Sequence, residues 1–268
     1  MPLHLAPTLR ERLASTDRAL AGVWVCSGSP LVAEICAGSR VDWLLIDMEH
    51  SPNGLESVLA QLQAVAAYDA TPLVRIPTAD PVVIKQVLDL GAQNILVPMV
   101  NSAEEAVGVV AATRYPPHGI RGVGSALARS ARWNRVEGYL ADAASHVSVF
   151  VQVETAQAVD NAAEIAAVDG VDGVFVGPSD LAASMGLLGQ QGHPDVVAAV
   201  LRAFEGIASQ GKPIGVNAFV ADQARAYIEA GARFVLHAAD VAILARATEQ
   251  VAAEWGAPDG DEGPPASY

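Results

Sequence analysis

Lysine is almost absent from this chain. Of its 16 basic residues only Lys85 and Lys212 are lysines. An enzyme that forms an imine with a carbonyl substrate needs a lysine in its site, with a pKa lowered by burial. Lys85 falls in the helical stretch after the third strand-like run, and Lys212 just precedes the seventh, so neither is placed for that chemistry. The two cysteines, Cys26 and Cys36, stand outside any CxxC or His-rich context and read as reduced, buried thiols. Aromatic residues make up 5% of a chain that is 51% hydrophobic, so its core must be aliphatic.

Other absences narrow the classes further. No apolar run approaches the roughly 18 residues needed to cross a bilayer. No basic segment followed by an apolar stretch opens the chain, so no signal peptide is expected. The expectation is a soluble, cytoplasmic protein without a membrane partner. Thirty acidic residues against 16 basic ones give a net charge of −14, which argues against a nucleic-acid partner. The acidity is scattered and reads as a solvated surface. A P-loop, a GxSxG elbow and an HExxH helix are all missing, which argues against nucleotide, serine and zinc hydrolysis.

What is present is an alternation of short apolar runs with helix-like stretches, the βαβα pattern of a parallel sheet. Eight strands are expected: Gly22–Cys26, Val41–Asp47, Leu73–Ile76, Asn94–Val100, Val147–Val153, Gly173–Val176, Pro213–Asn217 and Phe234–His237. Most are continuous rather than alternating, as strands covered on both faces should be. Eight β/α units in about 250 residues is the arithmetic of a single TIM (β/α)8 barrel, here over residues 1–256. An open doubly wound sheet is the rival, but no GxGxxG follows the first strand. Local signals agree: Asp80-Pro81 opens a helix that Gly91 ends, and Thr155 can cap one starting near Ala156. The tail Ala257–Tyr268 lacks apolar periodicity and is expected to be a disordered acidic segment.

The reactive side chains fall near strand ends. His50, Arg75, Glu154 and Asp180 each lie within a few residues of the end of a different run, and carboxyl ends of parallel strands converge on one face. Glu154 and Asp180 follow neighbouring strands. Two carboxylates plus water suit Mg²⁺ or Mn²⁺, and such an ion can chelate a 2-oxo acid and stabilise an enolate. The plain alternative for either acid is a helix cap or a solvated charge. Gly177, Pro178 and Ser179 form a turn into a helix whose first N–H groups would take a substrate carboxylate.

A lone histidine such as His50 is more often structural than catalytic. Asp47 could hydrogen-bond its ring, and Asp89 is another possible partner. Asp89 sits near a helix C-terminus and so needs a cationic or N–H partner of its own. Arg75 either stabilises a developing oxyanion or pairs with one of the acids, and the two roles are compatible. More than forty residues separate the fourth and fifth strands, and they contain Arg114, Arg121, Arg129, Arg132 and Arg135. This connection reads either as a functional loop on the catalytic face or as an ion-pair network at the surface or between subunits.

These residues, in this order, resemble the HpcH/HpaI family of class II pyruvate aldolases. The resemblance runs from about Gly22 to Glu254. It rests on Asp42-Trp-Leu-Leu-Ile-Asp-Met-Glu-His, Pro72-Leu-Val-Arg-Ile-Pro and Asp89-Leu-Gly-Ala-Gln-Asn-Ile-Leu-Val-Pro-Met-Val. It continues through Arg114-Tyr-Pro-Pro-His-Gly-Ile-Arg-Gly-Val-Gly, Gln152-Val-Glu-Thr and Val176-Gly-Pro-Ser-Asp-Leu. It implies a divalent metal (Mg²⁺, Mn²⁺ or Co²⁺) on Glu154 and Asp180, His50 as base, and Asp89 raising its basicity. It also implies Arg75 at the transition state, Gln152 and Ser179 on substrate, and a homohexamer built as a trimer of dimers. Three positions depart from the pattern: Ser179 where alanine is common, Asn217 where an apolar residue is frequent, and His237 in an otherwise small apolar run. The last two are expected to make the barrel mouth more polar and to bear on the aldehyde half of the substrate.

The expected activity is reversible cleavage of a 4-hydroxy-2-oxo acid to pyruvate and an aldehyde. The first choice is 4-hydroxy-2-oxoheptane-1,7-dioate giving succinic semialdehyde, in aromatic catabolism. A 2-keto-3-deoxy-sugar-acid aldolase of the rhamnonate or glucarate type is the main rival. A citrate-lyase-β-like acyl-CoA lyase and a non-catalytic scaffold are more distant ones.

Overall fold

The computed structural model of the protein describes residues 4–256, so the tail from Ala257 to Tyr268 lies outside the described residues. Eight strands pair in sequence order and close on themselves: β1 (Leu20–Val25), β2 (Trp43–Asp47), β3 (Thr71–Arg75), β4 (Asn94–Val97), β5 (Ser148–Val153), β6 (Gly173–Val176), β7 (Ile214–Asn217) and β8 (Ala232–Ala239). Every adjacent pair is parallel, so the chain forms a single (β/α)8 barrel. The eight expected runs are all strands, with ends moved by up to three residues. β4 stops at Val97 because Pro98 has no N–H to donate to the ladder.

Helices wrap this barrel. Those before β5 are α1 (Leu9–Ala14), α2 (Pro30–Gly38), α3 (Leu55–Ala64), α4 (Pro81–Asp89), α5 (Ala103–Thr113) and α6 (Tyr139–Asp142). Those after it are α7 (Ala156–Asp160), α8 (Ala162–Ala167), α9 (Pro178–Ser184), α10 (Pro194–Ser209), α11 (Ala221–Glu229) and α12 (Asp240–Trp255). The caps follow the local signals. Asp80 accepts the N–H of Val82 at 2.6 Å, Thr155 accepts that of Ala158 at 3.0 Å, and Gly91 ends α4 with φ +94°. No helix among the described residues is long and apolar enough to cross a membrane.

Strand alternation divides the core in two. Leu45, Leu73, Leu96, Phe150, Phe175, Phe234 and Leu236 pack inside the barrel, while Ile46, Val74, Ile95, Val151, Val174 and Val235 pack outward against helices. The first helix belongs to the inner set. Leu9 and Leu13 of α1 are buried among the interior residues, and the N–H of Leu9 donates to buried Asn94 Oδ1 at 2.7 Å. Helix α1 therefore closes the end of the barrel where the strands begin, and chemistry is left to the other end.

Two expectations need correction. The long Arg-rich connection is not on the catalytic face: it leaves α5 at Thr113 and enters β5 at Ser148, so both its ends lie where strands begin. The physical reason is α5, whose Ala/Val-rich sequence forms the helix between β4 and this connection and carries the chain back to the strands' starting end. The cysteines are free but only half-buried, and burial raises the Cys26 thiol to about 11, which leaves it an inert thiol at neutral pH.

The inner packing sets a sharp limit at β7. A Cβ on Gly215 would lie 2.3 Å from the Phe234 ring and 2.6 Å from that of Phe175. Gly215→Ala is therefore expected to destabilise the chain by about 1–3 kcal/mol, as overpacking does. Urea unfolding should show the loss as a lower midpoint with an unchanged slope.

Candidate active site

On four strands the next inward position beyond the barrel interior is polar. Two residues beyond Leu45 is Asp47, beyond Leu73 is Arg75, beyond Phe150 is Gln152, and beyond Gly215 is Asn217. The period of two that fills the barrel thus delivers a polar layer to the carboxyl ends of its strands. Trp24 of β1 joins this layer, with its ring centroid 4.5 Å from the Arg75 guanidinium carbon.

Arg75 and Asp47 form a fork-to-fork pair. Arg75 Nε and Nη2 each donate over 2.8 Å, to Asp47 Oδ1 and Oδ2, and both side chains are buried. Asp47 also accepts the backbone N–H of Glu49 at 3.0 Å, the N–H of His50 at 3.3 Å and the Ser51 hydroxyl at 3.1 Å. Burial alone would raise the Asp47 pKa, but Arg75 and these donors together carry it below its ordinary value. Arg75 is likewise disfavoured as a cation by burial, yet Asp47, Glu49 and Glu154 together raise its pKa. The guanidinium is a fixed charge in a nearly dry setting.

Glu49 completes this corner. Its Oε2 lies 2.9 Å from Arg75 Nη1 and 3.7 Å from His50 Nε2, without hydrogen-bond geometry to the guanidinium. Burial raises its pKa, with Asp47 and Asp180 adding to the effect against Arg75 and His50.

Glu154 lies one residue past β5, two strands along the barrel from Arg75, and is only 2% exposed. Its Oε1 accepts the N–H of Met99 at 2.7 Å, and its Oε2 accepts Gln152 Nε2. Burial, with the neighbouring charges of Asp180 and Glu49, raises its pKa to about 7 despite those two donors. Met99 is aimed by a left-handed backbone, φ +56°, and the loop is held by Asn101, which donates to Met99 O and accepts from Thr155. Gly177 approaches closely: a Cβ there would stand 2.7 Å from Glu154 Oε2 and 3.0 Å from Gln152 Nε2. Pro178 is buried at the first position of α9, and Ser179 and Asp180 are exposed in its first turn, facing solvent at the mouth.

The donor chemistry at Glu154 fits a hard divalent cation. Carboxylates converge there, and Gln152 Oε1 is a buried oxygen with no hydrogen-bond partner among the described residues. No group of three or more His, Cys, Asp or Glu side chains placed to hold a metal ion occurs among the described residues, so Glu154 with Asp180 would hold one only together with water or substrate oxygens.

The structure separates other candidates. His50 stands at the rim with its side chain 64% exposed, and Asp47 meets its backbone N–H and not its ring, whose Nε2 lies 3.7 Å from Glu49 Oε2. Asp89 ends α4 at the opposite end of the barrel. Its carboxylate pairs with the buried Arg121 at 2.9 Å and makes no contact with His50 within one chain. The cationic partner expected for Asp89 is thus Arg121. Asn217 faces inward and half-buried, whereas His237 occupies the bulge where the β8 register against β1 steps from Leu236 to Ala238. It lies outside the regular inward row.

Three further contributors lie outside the sequence reading. Glu49 has the same two-residue spacing from Asp47 that places the inward polar side chains, which is a readable signal. Asp240 accepts the N–H groups of Cys26 and Ser27 at 2.8 and 3.0 Å and so pins the end of β1. Met99 acts through its backbone, which no side-chain pattern reveals.

Comparison with known proteins bears on this layer. The family model described as HpcH/HpaI aldolase/citrate lyase matches residues 20–247. The chain belongs to that family. It is 52% identical over 236 residues to the 4-hydroxy-2-oxo-heptane-1,7-dioate aldolase of Salmonella arizonae, covering 88% of this chain and 90% of that one. The crystal structure of an HpcH/HpaI aldolase/citrate lyase family protein from Burkholderia cenocepacia superposes with a TM-score of 0.88 at 42% identity, over 92% of this chain and 98% of that one. An HpcH/HpaI aldolase from Desulfitobacterium hafniense gives 0.84 at 26% identity, over 96% and 100%.

The raised pKa of Glu154 carries a sign that can be measured in the metal-free family member. Its carboxyl titrates at 4.5 when free and about 7 when folded, so the folded chain binds this proton more tightly. The contribution to stability is fully present below pH 4.5 and is lost as pH rises through about 7. Glu154→Gln keeps the shape without the charge. At pH 8 it is expected to stabilise metal-free protein by about 1–3 kcal/mol relative to the parent, with little difference at pH 5. Thermal melts at the two pH values in EDTA check this.

Proposed function

We propose that this chain is a class II pyruvate aldolase that reversibly cleaves 4-hydroxy-2-oxoheptane-1,7-dioate to pyruvate and succinic semialdehyde, in the cytoplasm and in aromatic catabolism. The observation that carries the reading is the buried Glu154, close enough to Asp180 and to the fixed charge of Arg75 for each to act on the other's ionisation, in a chain half identical to aldolases named for that substrate. Glu154 and Asp180 would hold Mg²⁺, Mn²⁺ or Co²⁺, which supplies Lewis-acid stabilisation of the 2-oxo group.

The chain's own residues then divide the work. Gln152, Gly177 and the first turn of α9 with Pro178 and Ser179 cradle the 2-oxo acid end. His50 takes the proton of the 4-hydroxyl as the C3–C4 bond breaks and the aldehyde carbonyl forms. The electron pair passes into the pyruvate enolate, whose oxygen Arg75 stabilises from a position that costs no reorganisation. Asp47 is a positioning residue, since its two oxygens are spent on aiming that guanidinium. Protonation at C3 releases pyruvate. The inward Asn217 favours a second reading, a hydroxylated aldehyde from a 2-keto-3-deoxy-sugar acid, because it sets a hydrogen-bonding group on the inner wall.

The working form in this reading is a homo-oligomer, a hexamer. Helix α12 supports it: of its sixteen residues only Asp240 is buried, and Val241, Ile243, Leu244, Val251 and Trp255 are exposed. Leu31 and Ile35 of α2 are exposed as well, each by 65%. A chain 51% hydrophobic does not leave such a helix in water without a partner surface. Leu244→Glu with Val251→Glu is expected to reduce the assembled mass by light scattering. A monomeric parent chain would remove the proposal.

The activity is tested without choosing an aldehyde. Proton NMR of pyruvate in D₂O is expected to show loss of the methyl signal only with added divalent metal, and at least a hundredfold slower loss in Glu154→Ala. Absence of exchange with every metal would count against enolate chemistry at this site. Turnover of the two candidate substrates then separates the dioate from the sugar acid.

A further inference from the structure

The end of the barrel remote from Glu154 carries a cavity that the proposed reaction does not use. Its volume is about 390 Å³, within the range of small-molecule sites. Helix α1, the starts of β3 and β4, and the end of α4 form its walls, and the long connection after α5 covers it. In a protein of net charge −14 its lining is basic: His4, Arg12, Arg129 and Arg132 face it, against the single carboxylate of exposed Asp69.

The three arginines are held in place by carbonyls. Arg12 Nη2 donates to Asp69 O at 2.7 Å, Arg129 Nη1 to Leu90 O at 2.8 Å, and Arg132 Nη1 to Arg129 O at 2.6 Å. None of them pairs with a carboxylate among the described residues, whereas Arg10, Arg18, Arg75, Arg114 and Arg121 all do. Arg12 Nε is buried with no partner at all. Arg129 and Arg132 are both half-buried and converge over Gly91, where a Cβ would stand 2.8 and 2.7 Å from their Nη1 atoms. Burial lowers the pKa of each, and the charge of Arg132 adds to the lowering at Arg129.

Two adjacent, partly desolvated guanidinium groups without a counter-ion are costly unless an anion joins them. Arg129 has a structural use as a cap on the last carbonyls of α4. That use engages one nitrogen and leaves the rest of its fork free. It explains neither Arg132 nor Arg12.

We propose that this cavity binds a small oxyanion of two or more charges, phosphoryl or carboxylate, held by Arg12, Arg129 and Arg132. Planar guanidinium forks match the paired oxygens of either group. Because α1 plugs the barrel between the two ends, the anion binds without displacing the 2-oxo acid.

The test is isothermal titration of metal-loaded protein, at ionic strength fixed with sodium chloride, using inorganic phosphate and separately tricarballylate. Saturable binding of at least one anion is expected, with an affinity unaffected by saturating pyruvate and reduced tenfold or more in Arg132→Gln. Arg129→Gln risks the α4 terminus, so Arg12→Gln serves as the second variant, with the same expected loss. Binding of phosphate alone assigns a phosphate ester, and binding of tricarballylate alone assigns a polycarboxylate. The proposal is overturned if neither anion binds beyond the chloride background, if pyruvate competes, or if both variants bind like the parent.

Discussion

The Arg75–Asp47 pair is the constraint on which the rest of the catalytic end depends. It is buried on strands that are neighbours in the barrel, and both hydrogen bonds are 2.8 Å long. A charge so placed is costly to desolvate and costlier still if one partner is lost. The pair persists because Asp47 collects three further donors from the turn after β2, which in turn fixes where Glu49 and His50 emerge. The orientation of one side chain thus sets the path of the loop that carries the rim. Coulombic influence from Arg75 also reaches Glu49, and Glu154 acts back on Arg75, so the two sides of the mouth share one electrostatic balance.

Glu154 shows the opposite strategy. Its two hydrogen-bond donors do not outweigh burial and neighbouring negative charge, and its pKa stays near 7. Where Asp47 is satisfied internally, Glu154 is left wanting positive charge. That contrast between two buried carboxylates on one barrel agrees with the different roles proposed for them, in the way environment sets the roles of paired acids elsewhere. Gly177 protects the arrangement by keeping its own α-carbon small against the carboxylate.

Much of this was legible from one-dimensional pattern. Continuous Val/Ile/Leu runs mark strands covered on both faces, and the period of two carries Asp47, Arg75 and Gln152 inward from leucines and phenylalanine in the same strands. Strand order and parallel pairing followed from the alternation with helices. The sequence was less informative where position depends on the far side of the molecule. Asp89 looked available to His50, but α4 runs the full height of the barrel and delivers it to the other end. The connection carrying Arg129 and Arg132 reads in sequence either as a catalytic loop or as an ion-pair network, and its end of the barrel is decided by α5, which lies between β4 and the loop. Met99 and the Asp240 clamp on β1 act through backbone N–H groups and long-range closure, for which local pattern holds no signal.

The plug formed by Leu9 and Leu13 makes the barrel a cup with one opening. Whatever enters the polar layer above that plug has to leave by the way it came. For the proposed reaction this means that two products would share one exit, and the one lying nearer the rim would have to clear it first.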